Sequence, residues 1–353
     1  MLSFAQLLLI LSILMGLIFL IGISIGSFLN VIVLRGLANE SIVKPRSKCP
    51  KCQKQLKWYH NIPILSYIIL RGKCAYCSEK ISIQYPLVEL FTGLMFVGIF
   101  FKVGLGFNMI FLWYFASLLI VLAITDLKEK IIFDTHAYLL LGGGLLYNLF
   151  NIPNLYQGQI LLNLKFFQIP INGSILASLG GIIIGIVLME ILARIGYIIA
   201  GTRAFGEGDT YITAALGAIF GWRYVITIIV YALIVQICFT IPIYLKKLFD
   251  KKDFRTFYSF IGFFIYLAIL ITLNVNFKIN EVLYIVMIAI LGALGFYICQ
   301  RIIKNMRKEI KEFEENTDET TSDEEKEEKG LTFLPFGPAL VVASFIAIFL
   351  IQF

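Results

Sequence analysis

Apolar runs of membrane-crossing length dominate this 353-residue chain. About 20 such residues span a bilayer as a helix. The runs read as spans at 5–34, 86–104, 107–125, 136–152, 173–200, 208–222, 224–245, 257–275, 280–303 and 335–352. Hydrocarbon offers no partner to exposed backbone, so each run must satisfy its own N–H and C=O groups as a helix. With 59% hydrophobic and 15% charged residues, the composition excludes an ordinary soluble domain. The expected fold is an all-α integral membrane protein, a polytopic helical bundle. The sixth run is short and rich in Gly and Ala, which predicts a tilted helix or one buried among its neighbours. The first run is too long for a signal h-region and lacks a basic n-region, so it reads as a retained span.

Charge orients the bundle. The net charge is +7, and residues 35–85 hold Arg35, Lys44, Arg46, Lys48, Lys51, Lys54, Lys57, Arg71, Lys73 and Lys80. The positive-inside rule puts this loop in the cytoplasm and the N-terminus outside. Alternation then places 126–135, 201–207, 246–256 and 301–334 inside as well, all carrying Lys or Arg. The basic loop is explained by orientation and by anionic lipid, and nucleic-acid binding is not expected.

Three regions break the membrane pattern: the polar loop 35–85, an outer loop 153–172 without a motif, and a charged segment from Met306 to Gly330 rich in Glu, Asp and Thr. The last reads as a helical extension fraying into linker.

Within the first of these regions, Cys49-Pro-Lys-Cys52 and Cys74-Ala-Tyr-Cys77 form two C-x-x-C pairs. Two such knuckles make a tetrahedral site of four thiolates, the pattern of structural zinc. A metal would supply folding free energy that this weakly apolar loop lacks. A cytoplasmic location argues against disulfides. An iron–sulfur cluster and a redox dithiol are the competing readings. Four thiolates close the coordination sphere, so the site is expected to shape the loop rather than activate water. Cys238 and Cys299 stand singly in apolar runs and are expected to be packed there.

The chemistry is expected at carboxylates. Gly206-Glu207-Gly208-Asp209 lies between apolar runs, where an aspartate carries a heavy desolvation cost and marks a functional site. Its glycines permit close approach by another chain. Asp126 ends an earlier apolar run, and Asp134 follows eight residues later. Either of these also reads as a solvated helix-end carboxylate. Two carboxyls at one site do not both ionise, so one activates water while the other polarises a carbonyl. The two histidines, His60 and His136, have no Ser or Cys partner at a recognisable motif and read as local polar residues.

Taken in order, these features resemble the bacterial type IV prepilin peptidases, the leader peptidase/N-methyltransferases of pili and type II secretion. The resemblance is carried by Gly26-Ser27-Phe28-Leu29-Asn30-Val31 through Arg35, then by the cysteine knuckles enclosing Trp58, Asn61-Ile62-Pro63, Ser66-Tyr67 and Arg71-Gly72-Lys73. It continues through Ile81-Ser82, Tyr85-Pro86-Leu87-Val88-Glu89-Leu90, Asp126 with Asp134, Gly206 to Asp209, and Pro335-Phe336-Gly337-Pro338. It implies an aspartic endopeptidase of the bacterial inner membrane that removes a basic leader from prepilins or pseudopilins at the cytoplasmic face. N-methylation of the new N-terminus by S-adenosylmethionine would follow. Asp126 and Asp209 would be the catalytic pair, supported by Asp134, Gly206 and Gly208. Cys49, Cys52, Cys74 and Cys77 would bind zinc in the methylating loop. Phe133 stands where the family often has Pro, and Tyr211 where it often has Lys.

The resulting organisation is a first span 1–34, a cytoplasmic four-Cys loop 35–85, a peptidase core 86–246, an insertion of two spans and an acidic linker 247–330, and a final span 331–353. That makes about eight family spans plus two inserted. A peptidase without methylation, or a zinc-stabilised transporter or assembly subunit, are the alternatives. Oligomeric state is not specified by the sequence.

Overall fold

The computed structural model describes residues 3–44, 46–149, 174–200, 205–276, 281–316 and 335–350. These are nearly all helical. Among them, only two isolated bridges, Lys48 with Gln55 and Lys73 with Lys80, have β character. Among the described residues, six helices are long and apolar enough to cross a membrane. The expected outer loop 153–172 lies outside the described residues. The chain divides into two compact units. The first is Met1–Met189 with Glu207–Leu233 and Pro335–Phe353; the second is Glu190–Gly206 with Ile234–Leu334.

In the first unit, α1 (Phe4–Leu37) starts at a capping box of Ser3 and Gln6, which satisfies two backbone donors reciprocally. The cysteine loop follows, with a 3-10 turn (Trp58–Asn61) and the short α2 (Leu65–Ile69). Then come α3 (Gln84–Val103), α4 (Phe107–Glu129) and α5 (Asp134–Leu149).

Helices α1 and α3 run antiparallel at very close range. A Cβ on Gly22 would sit 2.7 Å from Gly93 Cα, and one on Gly26 would sit 2.8 Å from Glu89 Cα. Small residues permit this approach, and packing at such range is what holds helices together in lipid. Trp113 of α4 stacks flat on Phe96 of α3, with centroids 4.6 Å apart, and its Nε1–H donates to the Phe96 carbonyl.

Helix α6 (Ser174–Ala200) and α7 (Glu207–Asp250) each run from one unit into the other. Helix α7 is interrupted at Gly221, whose φ of 77° suits only glycine without strain. The two runs expected at 208–222 and 224–245 are thus one helical segment with a break between them. The part before the break is about 20 Å long, shorter than the hydrocarbon layer. Ile212, Thr213, Ala214, Ala215, Leu216, Ala218, Ile219 and Phe220 are buried there. Of the two expected outcomes for this run, burial among other helices is the one observed. Asn148 of α5 donates to the Ala218 carbonyl at 2.8 Å, which ties α5 to this buried stretch. The last described helix, α10 (Gly337–Leu350), packs on α3 and α4, with Phe345 edge-on to Phe91.

In the second unit, α8 (Phe254–Asn276) and α9 (Glu281–Asn316) pair antiparallel. Asp253 caps α8 through the Thr256 N–H and also receives Arg301 Nη2 at 3.1 Å and Asn305 Nδ2 at 3.2 Å. The expected helical extension into the charged segment is present as far as Asn316.

Candidate active site

Four helix ends in the first unit carry the carboxylates and their neighbours. Asp126 lies in the last turn of α4, which Lys130 closes in the left-handed conformation at φ 54°. Asp134 is the first residue of α5, and Asp209 is in the first turn of α7. Gly337 begins α10 and donates its backbone N–H to Asp126 Oδ2 at 2.9 Å. A helix N-terminus presents unpaired N–H groups and a partial positive charge, so it favours a carboxylate beside it. Pro338 suits its place because the second residue of a helix has no intrahelical use for an N–H.

The link between α4 and α5 ties these ends together. A Cβ on Gly208 would collide with Ile132 at 2.7 Å, so the helix bearing Asp209 rests directly on that link. The close approach at Gly208 is by Ile132 of the same chain, while Gly206 sits just before α7. A Cβ on Gly36, near the end of α1, would meet the Phe133 ring at 3.2 Å. The root of the cysteine loop thus meets the same link. Tyr211 of α7 lies beside Tyr138 of α5, with centroids 5.9 Å apart.

Burial separates the three aspartates. Asp126 is 5% exposed and Asp209 7%, whereas Asp134 is exposed. A buried carboxylate near hydrocarbon is costly and needs a reason to be there; an exposed one does not. Neither Ile132 nor the Gly337 N–H stands out in the sequence as a neighbour of this site. Gly337 had a signal, the Pro-Phe-Gly-Pro run, but nothing in it names Asp126 as its partner. His136 lies beside Phe133, and His60 makes edge-on ring contacts with Tyr59 and Tyr76, in keeping with local roles.

The cysteine loop folds as two equivalent knuckles offset by 25 residues. In each, the first cysteine N–H bonds to the carbonyl five residues on: Cys49 to Lys54 and Cys74 to Glu79. The residue after the second cysteine, Gln53 or Ser78, takes positive φ. The four Sγ atoms of Cys49, Cys52, Cys74 and Cys77 all lie within 4.8 Å of one another, and Cys49 and Cys77 are 3.8 Å apart. Tetrahedral zinc with Zn–S bonds of about 2.3 Å requires S···S separations of about 3.8 Å. The donor set and spacing therefore fit a four-thiolate metal site.

The protonation pattern agrees. Backbone N–H groups of Tyr76 and Cys77 lower the Cys74 thiol to about 6. The Glu79 N–H favours a Cys77 thiolate, but lost solvation and the neighbouring sulfurs of Cys74, Cys52 and Cys49 push it up to about 12. A bound cation would favour the thiolate form of both Cys74 and Cys77. Cys238 and Cys299, expected to be packed, are instead exposed on apolar stretches of α7 and α9. Their runs are long enough to place them against lipid, so burial in protein is not required of them.

The loop is joined to the membrane helices by buried polar groups. Glu89 of α3, 6% exposed, accepts the Ile64 N–H at 2.7 Å. Asn30 of α1 donates to the Tyr85 carbonyl at 3.3 Å, just inside α3.

Comparison with known proteins identifies the family. Residues 20–103 match the bacterial peptidase A24 N-terminal domain, and residues 113–241 match the type IV leader peptidase family. The chain is 31% identical over 225 residues to a prepilin leader peptidase/N-methyltransferase of Neisseria gonorrhoeae, covering 57% of this chain and 72% of that protein. It belongs to the type IV leader peptidase family. A Klebsiella pneumoniae protein of the same name is 30% identical over 58% of this chain and 84% of its own length. A third, from Myxococcus xanthus, is 34% identical over 61% of this chain but 58% of its own, longer sequence. No solved structure matches. Both matched segments stop before α8, and α10, which supplies the Gly337 N–H to Asp126, lies beyond them.

Proposed function

We propose that this chain is a membrane aspartic endopeptidase that removes the basic leader from type IV prepilins or pseudopilins. Asp126 and Asp209 are its catalytic pair. The observation that carries this reading is that these two carboxylates are buried at helix ends which meet the single link 130–133, while Asp134 faces outward. One carboxyl of such a pair is ionised and draws a proton from water; the other is protonated and donates to the scissile carbonyl oxygen. The water oxygen bonds to the carbonyl carbon, and the proton passes to the leaving amine as the C–N bond breaks. The Gly337 N–H orients Asp126 without taking part in proton transfer. Asp134, with Tyr138 and Tyr211 nearby, supports the mouth of the site.

The basic residues of the loop and of the segments near 128, 203, 247 and 301 support a cytoplasmic active-site face and an outside N-terminus, in a bacterial inner membrane. The same chain is proposed to methylate the new N-terminus, with S-adenosylmethionine as a second substrate. Cys49, Cys52, Cys74 and Cys77 hold structural zinc, and the contact of Gly36 with Phe133 joins the root of that loop to the peptidase end.

The test is the purified full-length protein with a synthetic prepilin, with and without S-adenosylmethionine, read by mass spectrometry. The expected products are the trimmed chain alone without the methyl donor, and the trimmed chain one methyl group heavier with it. An uncut prepilin would refute the peptidase reading; trimming without a mass increase would confine the activity to cleavage.

A further inference from the structure

The cysteine loop carries an apolar face that the protein leaves uncovered. Helix α2 is two-sided over its short length. Ser66 is half-buried and donates back to the Ile62 carbonyl at 2.6 Å, and Tyr67, also half-buried, lies against Gly72. Leu65, Ile68 and Ile69 point outward, 50%, 64% and 67% exposed. Trp58, in the turn just before, is 80% exposed.

The height of this face is fixed by Glu89. Ile64 immediately precedes α2, and its N–H reaches Glu89 Oε2 at 2.7 Å. Glu89 is five residues into a membrane-length helix, about 7–8 Å along its axis from Gln84. Helix α2 therefore begins level with the second turn of a spanning helix rather than beyond its end. On that helix, Leu87, Leu90, Phe91 and Leu94 are themselves exposed. Charge supplies the third observation: the loop carries ten Lys or Arg against only Glu40 and Glu79. Lys54, Lys57, Arg71 and Lys73 are exposed close to the apolar face in sequence.

We infer that Trp58 and α2 form an interfacial anchor, with Trp58, Leu65, Ile68 and Ile69 entering the boundary between headgroups and acyl chains of an anionic lipid leaflet. The flanking Lys and Arg residues hold the headgroup phosphates. Tryptophan is favoured in that layer because its ring is apolar and its N–H is polar. Lipid is the occupant because Glu89 sets the face level with the second turn of a spanning helix, and because its basic rim attracts anionic headgroups and repels a basic leader. The loop consequently lies along the membrane, held at the depth that Glu89 sets. This inference rests on the membrane reading of α3 and not on the peptidase reading.

The test uses the full-length protein in nanodiscs of phosphatidylethanolamine and phosphatidylglycerol, with acyl chains brominated either near the headgroup or near their ends. The emission that disappears in Trp58→Phe isolates Trp58 from Trp113 and Trp222, and metal content checks that the variant loop is folded. The expected result is that shallow bromines remove most of the Trp58 emission, deep bromines remove little, and aqueous acrylamide removes little. Ile68→Ser with Ile69→Ser should restore acrylamide quenching. Emission open to acrylamide and indifferent to bromine overturns the inference. Protection that appears only when a prepilin is added also overturns it, and would make the face a substrate surface.

Discussion

Gly337 holds Asp126: its backbone N–H donates to the carboxylate at 2.9 Å, across 211 residues of sequence. No side chain fits between them. A Cβ on Gly337 would lie 2.5 Å from Asp126 Oδ2 and 3.1 Å from its Cγ. Gly337→Ala must therefore move the carboxylate or the start of α10. A displacement near 1 Å in a reacting group costs on the order of 100-fold in rate. Steady-state cleavage of a prepilin should show kcat down by about that factor with KM nearly unchanged, and the variant should still insert in membranes.

The three aspartates should differ as their burial differs. Asp126→Asn and Asp209→Asn keep side-chain shape but remove the ability to ionise, so each should lower kcat by about 10⁴-fold or more. Asp134→Asn, at an exposed helix start, should cost about tenfold or less, reflecting local helix-end and mouth effects. Mass-spectrometric cleavage rates for the three purified variants check this. Full activity in Asp126→Asn would remove it from the pair, and collapse of Asp134→Asn would put Asp134 in its place.

The bundle was legible in the sequence because hydrocarbon imposes one rule on every span, and apolar runs of the right length reveal it. The cysteine cluster was legible because two C-x-x-C pairs leave few alternatives. Less could be foreseen where the determining contact joins distant residues through backbone or packing. The Gly337 N–H on Asp126 is one case, and the seat of Gly208 on Ile132 is another. Residue chemistry alone leaves Asp126 and Asp134 alike, since both end or begin apolar runs; the resemblance favours Asp126, and the two differ in burial. Cys238 and Cys299 show the converse, since an apolar run in a membrane protein does not say whether a side chain meets protein or lipid.

Metal removal should unfold the loop and leave the membrane helices standing. The four sulfurs provide a closed site, and structural zinc supplies folding free energy directly. Cys49→Ser with Cys52→Ser should lower bound metal from about one per chain to none. N-methylation should be lost, while cleavage keeps a substantial fraction of its rate. Metal analysis alongside product mass checks all three. Unchanged methylation by a metal-free loop would separate the knuckles from that activity.

Glu89 should matter as an acceptor more than as a charge. Its Oε2 takes the Ile64 N–H within a buried setting. Removing the acceptor leaves a buried donor unpaired, which costs about 1–3 kcal/mol. Glu89→Ala should free the loop and speed its limited proteolysis between Ser47 and Lys80 by about tenfold or more. Glu89→Gln retains a carbonyl oxygen at the same reach and should stay within about threefold of the native rate. Equal protease sensitivity of the two variants would show that the negative charge, not the hydrogen bond, holds the loop.

Asp253 gives the α8–α9 pair an acid limit. Lost solvation opposes its ionised form, but the Thr256 hydroxyl and N–H, the Asn305 amide and the Arg301 guanidinium prevail and hold its carboxyl below the usual 3.8. A carboxyl lowered on folding adds stability in full above its unfolded value, and that stability fades as pH falls through the lowered folded value. The pair should therefore be indifferent to pH from neutrality down to about 5 and lose protection progressively below about 4. Asp253→Asn should be less stable at neutral pH and should lack that acid-dependent loss. Amide hydrogen exchange of 254–270 and 286–305, corrected for the intrinsic rate at each pH, is the measurement. Parallel acid profiles for the native chain and Asp253→Asn would rule Asp253 out as the titrating group. Leader cleavage at neutral pH should be the same in both, because Asp253 lies in the second unit, outside the segments that match the leader peptidase family.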